Sequence, residues 1–422
     1  MKRKLAQIPI LWIFLLAGSI YYSCSTGNRD FLIERLTCES LENPVGIETD
    51  QPQLSWVVKT EGYNQSQSAH QVLVASSPEL LKPGKADVWD PGPVDSNQSI
   101  HIPYAGQELS SRQRVYWQVT VWDETGQASH SDLAWFEMGL LERSDWQGEW
   151  IGAALTGGPR TTIPAPFLRQ SFQLDGAIKA ARLYVTALGL HECSINGQSV
   201  SEDVFTPGWT DYGNRVQYQV YDVAHLLGEG VNVIGAILGD GWAVGHIGWH
   251  HRQHYFDRPR LLAQLEITMA DGRVITIATD QSWKYQFGPL LENDLVMGEA
   301  YDARLELPGW DAPGFDDKCW LDVELFEDPG IPLVATNGPT VRRINQLKPI
   351  SDPVDWSNVT TECYIFDLGQ NMVGRVRFKG SAPAGTTVTF RFAEVLNQDR
   401  TIYTDNLRTA RVTDYYTFKG EG

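Results

Sequence analysis

Short runs of alternating apolar and polar residues recur along the chain, as in Gln53-Leu54-Ser55-Trp56-Val57-Val58, Gln71-Val72-Leu73-Val74-Ala75 and Val115-Tyr116-Trp117-Gln118-Val119-Thr120-Val121-Trp122. Residues two apart share one face of an extended strand, so these runs predict strands that turn one face to a core. Gly, Pro, Asn and Asp separate the runs, which is the punctuation of turns. Asp123-Glu124-Thr125-Gly126 predicts a hairpin turn, with Leu133-Ala134-Trp135-Phe136 as the returning strand. Together these elements predict a first β-sandwich over residues 29–142, closed by a linker whose Trp146 and Trp150 dock on a neighbour.

A second block, residues 149–312, repeats the habit at 181–186, 217–221, 231–235 and 262–267, and Asn196-Gly197 predicts a tight turn. A third, residues 334–422, has strand candidates at 376–378, 386–392 and 413–418. Helical periodicity is confined to short stretches at 77–82 and 222–227. The expected fold class is therefore all-β, with three consecutive β-sandwich domains and no internal repeat of fixed period.

The first residues depart from this pattern. Met1-Lys2-Arg3-Lys4 is followed by an apolar stretch at 8–17 too short to span a bilayer, and then by small residues before Cys24. Residues 1–23 read as a lipoprotein-type signal peptide that leaves Cys24 at the new N-terminus for lipidation. Plain secretion is the alternative, because Tyr21 stands where Leu is usual in such signals. The expected location is that of an exported bacterial lipoprotein, in the periplasm or on the outer-membrane surface, touching a membrane only through a lipid anchor.

Composition narrows the partners. The chain carries 34 Lys+Arg against 52 Asp+Glu, a formal net charge of −18, so a broad phosphate-binding surface would form against the mean field and nucleic acid is not an expected partner. The cysteines other than Cys24 are Cys38, Cys193, Cys319 and Cys363, whose spacing matches neither a zinc ribbon nor a redox motif, so they read as free thiols.

Several motifs invite chemistry. Gly239-Asp240-Gly241-Trp242-Ala243-Val244-Gly245 has the glycine density of a phosphate-binding turn, but the following Gly245-His246-Ile247-Gly248-Trp249-His250-His251 has no helical period to supply the N-terminal amides, so a glycine-shaped loop is expected. His246, His250, His251 and His254 pose a transition-metal site against a polar, aromatic loop able to hydrogen-bond sugar hydroxyls. Trp209, Trp242, Trp249, Trp283 and Trp310 lie in turn-like segments, where each is either core or a flat face for a sugar ring. Glu202, Asp203 and Asp211 are oxygen ligands for calcium or ordinary surface carboxylates. No Gly-x-Ser-x-Gly nucleophile motif occurs, and an acid–base pair of carboxylates is defined by separation in space, which spacing along the chain does not reveal.

The order of motifs carries more than any one of them. Pro207-Gly208-Trp209-Thr210-Asp211-Tyr212, Gly239-Asp240-Gly241-Trp242, Thr279-Asp280-Gln281-Ser282-Trp283 and Gly298-Glu299-Ala300-Tyr301-Asp302-Ala303-Arg304 resemble the N-terminal domains of bacterial α-L-rhamnosidases of glycoside hydrolase family 78. Asp367-Leu368-Gly369-Gln370-Asn371-Met372-Val373-Gly374, Ala393-Glu394-Val395-Leu396 and Asn406-Leu407-Arg408 resemble the sandwich that precedes the family's catalytic barrel, and Leu54-Ser55-Trp56 with Tyr116-Trp117 its fibronectin-type-III-like module. The resemblance implies a fibronectin-III-like sandwich, a galactose-binding-like jelly roll and a concanavalin-like sandwich, in that order. It also implies an inverting hydrolase that releases terminal L-rhamnose from plant glycans, with its acid and base in an (α/α)6 barrel. Such a barrel needs about twelve helices of ten or more residues, and no such set is legible in this chain. Catalytic residues are accordingly left unassigned, since Glu394 and Asp367 fall in sandwich motifs. The resemblance implies carbohydrate binding, with rhamnose-containing glycans as partners and Asp203, Asp211, Trp242 and Trp249 as the lining of a rhamnose pocket. Calcium, on Asp203, is the cofactor it suggests. Three functional expectations follow: the N-terminal, non-catalytic portion of an α-L-rhamnosidase; an active glycosidase with its site at a domain junction; or a surface glycan-binding lipoprotein.

Overall fold

The computed structural model describes residues 31–60, 63–336 and 338–421. Residues 1–23, read as an export signal, and Cys24 lie outside the described residues.

Strand Arg114–Asp123 alternates as its sequence predicts, with Val115, Trp117, Val119 and Val121 buried and the residues between them half-exposed. It is flanked by Gln67–Ala75 and Ala134–Met138 in a six-stranded sheet, faced by a three-stranded sheet of Leu32–Cys38, Gln53–Lys59 and Ile102–Pro103. Trp56 and Trp117 fill the space between the sheets. The Trp56 Nε1 donates to Gln67 Oε1 at 3.0 Å, so its one polar atom is satisfied inside the core. The predicted hairpin turn at 123–126 joins Arg114–Asp123 to Ala128–His130.

The second domain is a jelly roll of two larger sheets. One centres on Ile178–Leu188 between Val216–Asp222 and Arg260–Met269; the other on Gly230–Gly239 between Pro166–Leu174 and Leu190–Ile195. Leu183, Val185, Leu265 and Ile267 from the first meet Leu168, Ile234, Ala236 and Leu238 from the second, and burying each larger side chain contributes roughly 1.5–3 kcal/mol. Trp283 belongs to this core rather than to a turn surface, with its Nε1 on the Ala278 carbonyl at 3.0 Å. The short helical candidates form single 3₁₀ turns at Pro78–Leu80 and Ala224–Leu226.

The second block extends beyond residue 312. Leu321–Asp322, Glu324–Phe326 and Leu333–Ala335 add to the edges of the two sheets, the last in parallel with Val216–Asp222. Strands of two or three residues are too short to show a period, which is why the sequence does not announce them. The hairpin of Leu290–Asp294 and Gly298–Asp302 leaves the jelly roll to form a four-stranded sheet with Thr387–Arg391 and Thr413–Thr417 of the third block. Residues 376–378 form no strand: Phe378 instead meets Phe390 and Phe418 edge-on, with ring centroids 5.1 and 6.2 Å away.

The first two domains meet along a close seam. Glu137 accepts from Arg114 Nε of its own domain at 2.9 Å and from Arg182 Nε of the jelly roll at 2.7 Å. Arg112 reaches Glu266 and Asp145, each at 2.7 Å. The Tyr218 hydroxyl accepts from the Leu140 amide at 2.9 Å. Gly46 stands in this seam with φ +81°, and a Cβ there would lie 2.7 Å from Val220 Cγ2. Gly46→Ala is expected to cost about 1–3 kcal/mol through overpacking, read as a lowered unfolding midpoint. Val220→Ala in the same chain should recover part of that loss, whereas strictly additive effects of the two changes would sink the packing explanation.

Candidate functional site

Two loops of the jelly roll present aromatic side chains side by side. One links Gln198–Ser199 to Val216–Asp222 and carries Phe205, Trp209 and Tyr212; the other links Gly230–Gly239 to Arg260–Met269 and carries Trp242, Trp249 and the histidines. Tyr212 is buried at the base of the first and packs edge-on against Tyr255 and Phe256 of the second, which ties the loops together.

The second loop is held from beneath by charge. Asp240 and Arg252 are both almost wholly removed from water, with Arg252 Nη2 on Asp240 Oδ2 at 2.5 Å; the same guanidinium also donates to the carbonyls of Gly158 and Thr161. Beside them the Asp294 carboxylate accepts from the His246 amide at 2.9 Å, from His246 Nδ1 at 3.0 Å and from the amides of Val296 and Met297. Burial pushes the Asp240 carboxyl up to about 6, with Arg252 pulling the other way and Asp294 adding repulsion. Burial also acts to raise Asp294, but its donors outweigh it and hold that carboxyl below the ordinary range. The glycine-rich turn before Trp242 is followed by a single helical turn, Gly241–Val244, where the sequence predicts loop alone. Four residues leave no helix to hold a phosphate, and Gly241 is needed for its φ of +54° against Leu190.

Above this base, Trp209 and Trp242 stack with centroids 6.3 Å apart and 15° between their planes, and Phe205 meets Trp242 edge-on at 6.3 Å. Trp209 is 60% exposed and Phe205 40%. Trp249, 71% exposed, lies under the Arg408 guanidinium of the third block at 4.6 Å. The surface therefore offers flat apolar faces, that of Trp249 beside a guanidinium, which suit the apolar side of a sugar ring and its hydroxyls.

The four residues expected to line one pocket are distributed differently. Trp242 is in the stacked pair. Trp249 faces Arg408. Asp211 is taken up within its own turn, accepting from Asn214 Nδ2 at 2.6 Å and from the Gly213 amide at 3.0 Å. Asp203 lines a separate cavity of about 240 Å³ with His191, Cys193 and Tyr221. Phe205 joins the stacked pair and Arg408 covers Trp249; nothing in their spacing signals a contact made between loops and between domains.

The surroundings of Asp203 do not fit calcium. Thr340 Oγ1 at 2.6 Å and Arg342 Nε at 2.8 Å donate to its Oδ1, and the Tyr221 hydroxyl at 3.2 Å to its Oδ2, so a guanidinium already stands where a cation would go. Burial works to raise this carboxyl, but the hydrogen bonds from Thr340 and Arg342 hold it below the ordinary range. Nor do the histidines converge: His250 stacks on His254 at 4.6 Å, and among the described residues no group of three His, Cys, Asp or Glu is placed to hold a metal. Trp310 packs against Phe167 and Trp320, a structural role.

In the Asp203 cavity, His191 is buried, with Nε2 3.0 Å from Gln219 Oε1 and Nδ1 3.6 Å from Cys193 Sγ. Burial pushes this imidazole down to about 4. Below its ordinary value of 6.5 the unfolded chain binds a proton that the folded chain refuses until about pH 4, so acidification across that window favours unfolding by up to about 3 kcal/mol. Asp240 acts oppositely in nearly the same range, since its raised pKa makes the folded state take up the proton first. Comparing the chain with His191→Gln isolates the imidazole: the variant should gain stability relative to the parent as pH falls from 6.5 to 4, measured by denaturant unfolding at each pH. A constant difference between the two would contradict a buried neutral His191.

The chain's likeness to known proteins runs over all three domains. Residues 33–142 match the domain described as Rha78A-like, N-terminal immunoglobulin domain; residues 176–345 match the Alpha-L-rhamnosidase N-terminal domain; residues 357–422 match the Bacterial alpha-L-rhamnosidase concanavalin-like domain. An Alpha-L-rhamnosidase of Formosa agariphila is 39% identical over 428 residues, covering 97% of this chain and 45% of that protein. The crystal structure of Streptomyces avermitilis alpha-L-rhamnosidase complexed with L-rhamnose superposes with a TM-score of 0.87 at 30% identity, over 93% of this chain and 54% of that one. The alpha-L-rhamnosidase from Dictyoglumus thermophilum gives 0.84 at 36% identity, over 94% and 45%. The chain thus spans about half the length of the relatives it matches.

Proposed function

Because the chain belongs to the α-L-rhamnosidase family, whose immunoglobulin-like, N-terminal and concanavalin-like domains it carries in order, we propose that it is the glycan-recognising N-terminal portion of an α-L-rhamnosidase acting on terminal L-rhamnose of plant glycans. The observation that carries this reading is the stacked Trp209–Trp242 pair with Phe205, an exposed aromatic surface on a base of buried ion pairs. An aromatic face exposed to water on rigid support stacks on the apolar side of a sugar ring with little ordering cost. Arg408, over the face of Trp249, adds a guanidinium able to donate to sugar hydroxyls. Bond cleavage we assign to the part of the relatives' length that this chain does not match.

Binding and turnover separate the alternatives. Trp209→Ala should weaken binding of a rhamnose-containing oligosaccharide roughly fivefold, about 1 kcal/mol of stacking, in calorimetric titration. Unchanged affinity would remove the aromatic surface from the reading. Hydrolysis of an aryl α-L-rhamnoside by the 422-residue chain would instead favour the alternative of an active glycosidase with its site at a domain junction.

We also propose export and lipid tethering through Cys24, which rest on the leader sequence. Cys24→Ser should abolish incorporation of radiolabelled palmitate in a bacterial host and release the protein from the membrane fraction; retained label would contradict the anchor.

A further inference from the structure

We propose that the cleft between the first two domains is a second binding site, for a neutral polyhydroxylated ligand the size of one or two sugar units. The site is separate from the aromatic surface and does not rest on how that surface is read.

The cleft has a volume of about 540 Å³, within the range of small-molecule sites, and is walled by the first domain, the linker and the jelly-roll sheet. Its charged groups are neutralised in place. Arg112 is shared between Asp145 and Glu266, and Arg182 between Glu137 and Asp222, all at 2.7 to 2.9 Å. With each guanidinium committed to two carboxylates, the cleft offers an anion no free cation. With each of the three lining carboxylates committed to a guanidinium, it offers a metal ion no free anion. What the carboxylates keep is lone pairs on Glu137 Oε1, Asp145 Oδ1 and Glu266 Oε2, each of which accepts from one guanidinium nitrogen and is held in a fixed direction by it.

The other polar groups of the wall are unspent. Tyr184 is 1% exposed, its ring packed edge-on against Trp146, yet its hydroxyl has no hydrogen-bond partner among the described residues and is not sealed off from the cleft. It lies within the field of Glu266, Glu137, Arg112 and Arg182, the charged residues of the cleft. Burial first, and then those carboxylates, raise its pKa, so the phenol remains a neutral donor over the ordinary pH range. The side chains of Ser144, Gln147, Thr268 and Thr276 also line the cleft without a protein partner among the described residues. A wall that alternates hydroxyl donors with fixed carboxylate acceptors, and contributes Ala180 and Val274 as small apolar patches, matches a molecule with many hydroxyls around an apolar ring. An apolar ligand would leave these groups unpaired, and an ionic one would find the charges already matched. Because the Arg-carboxylate pairs cross the seam, the ligand meets walls already in place.

The test uses the complete chain carrying Trp209→Ala, so that heat from the aromatic surface is reduced. Titration with L-rhamnose, with D-galactose and with a rhamnose-containing disaccharide is expected to show binding of at least one neutral sugar in the millimolar range or tighter. Adding Tyr184→Phe should weaken that binding at least tenfold, while keeping the ring against Trp146 and hence the unfolding midpoint. If the Phe variant does not fold, Thr268→Val removes another lining hydroxyl and carries the same expectation. Three results would overturn the proposal: no heat from any neutral sugar, binding indifferent to both substitutions, or binding of D-glucuronate in preference to the neutral sugars.

Discussion

The buried pair of Asp240 and Arg252 is the constraint on which the functional face depends. Two opposite charges taken out of water are tolerated only when each is fully satisfied by the other and by neighbouring hydrogen bonds. Arg252 meets that condition by reaching Asp240 and two carbonyls of the segment around Gly158, so the two ends of the loop and a segment more than ninety residues away are drawn to one point. Asp294 does the same for His246 and for the turn leading into Gly298–Asp302. Removing one member would strand a charge inside, at a cost of about 3–5 kcal/mol. This is why a loop of glycines and aromatics keeps one shape between Gly239 and Arg260.

The same logic operates on a larger scale at the seam between the first two domains. Interfaces between domains of one chain are often loose and polar, but here Gly46 approaches Val220 more closely than a side chain would permit, and Tyr218 reaches across to the Leu140 backbone. The arginines that bridge this seam define the cleft beside it. The third block is joined differently, by strand pairing: Gly298–Asp302 runs parallel to Thr413–Thr417. Arg408 then arrives over Trp249, and Arg342 over Asp203. The functional face is therefore made by the jelly-roll loops together with the segment that follows them.

Much of this was legible in the residue pattern. Alternation at 115–122, the Asn196-Gly197 turn and the ordered motifs sufficed for an all-β chain and for its family, because strand period and turn chemistry are local properties. Other residues were not readable in this way. Trp283 and Trp242 have similar turn-like surroundings in sequence, yet one is wholly core and the other half-buried with a face on Trp209, since burial depends on which sheet lies opposite. Asp203 had the composition of a cation ligand, and only the arrival of Arg342 from 139 residues away makes it an anion already answered.

By itself, then, the sequence determined the period of the strands and the places where the chain turns, both set by neighbours within a few positions, and, through the order of its motifs, the identity of the family. Tertiary structure alone decided which charges are paired, which aromatics stack and where the cleft opens. The reason is physical: hydrogen bonds, ion pairs and burial are fixed by distances through space, and in a β protein the partners that set them come from strands far apart along the chain.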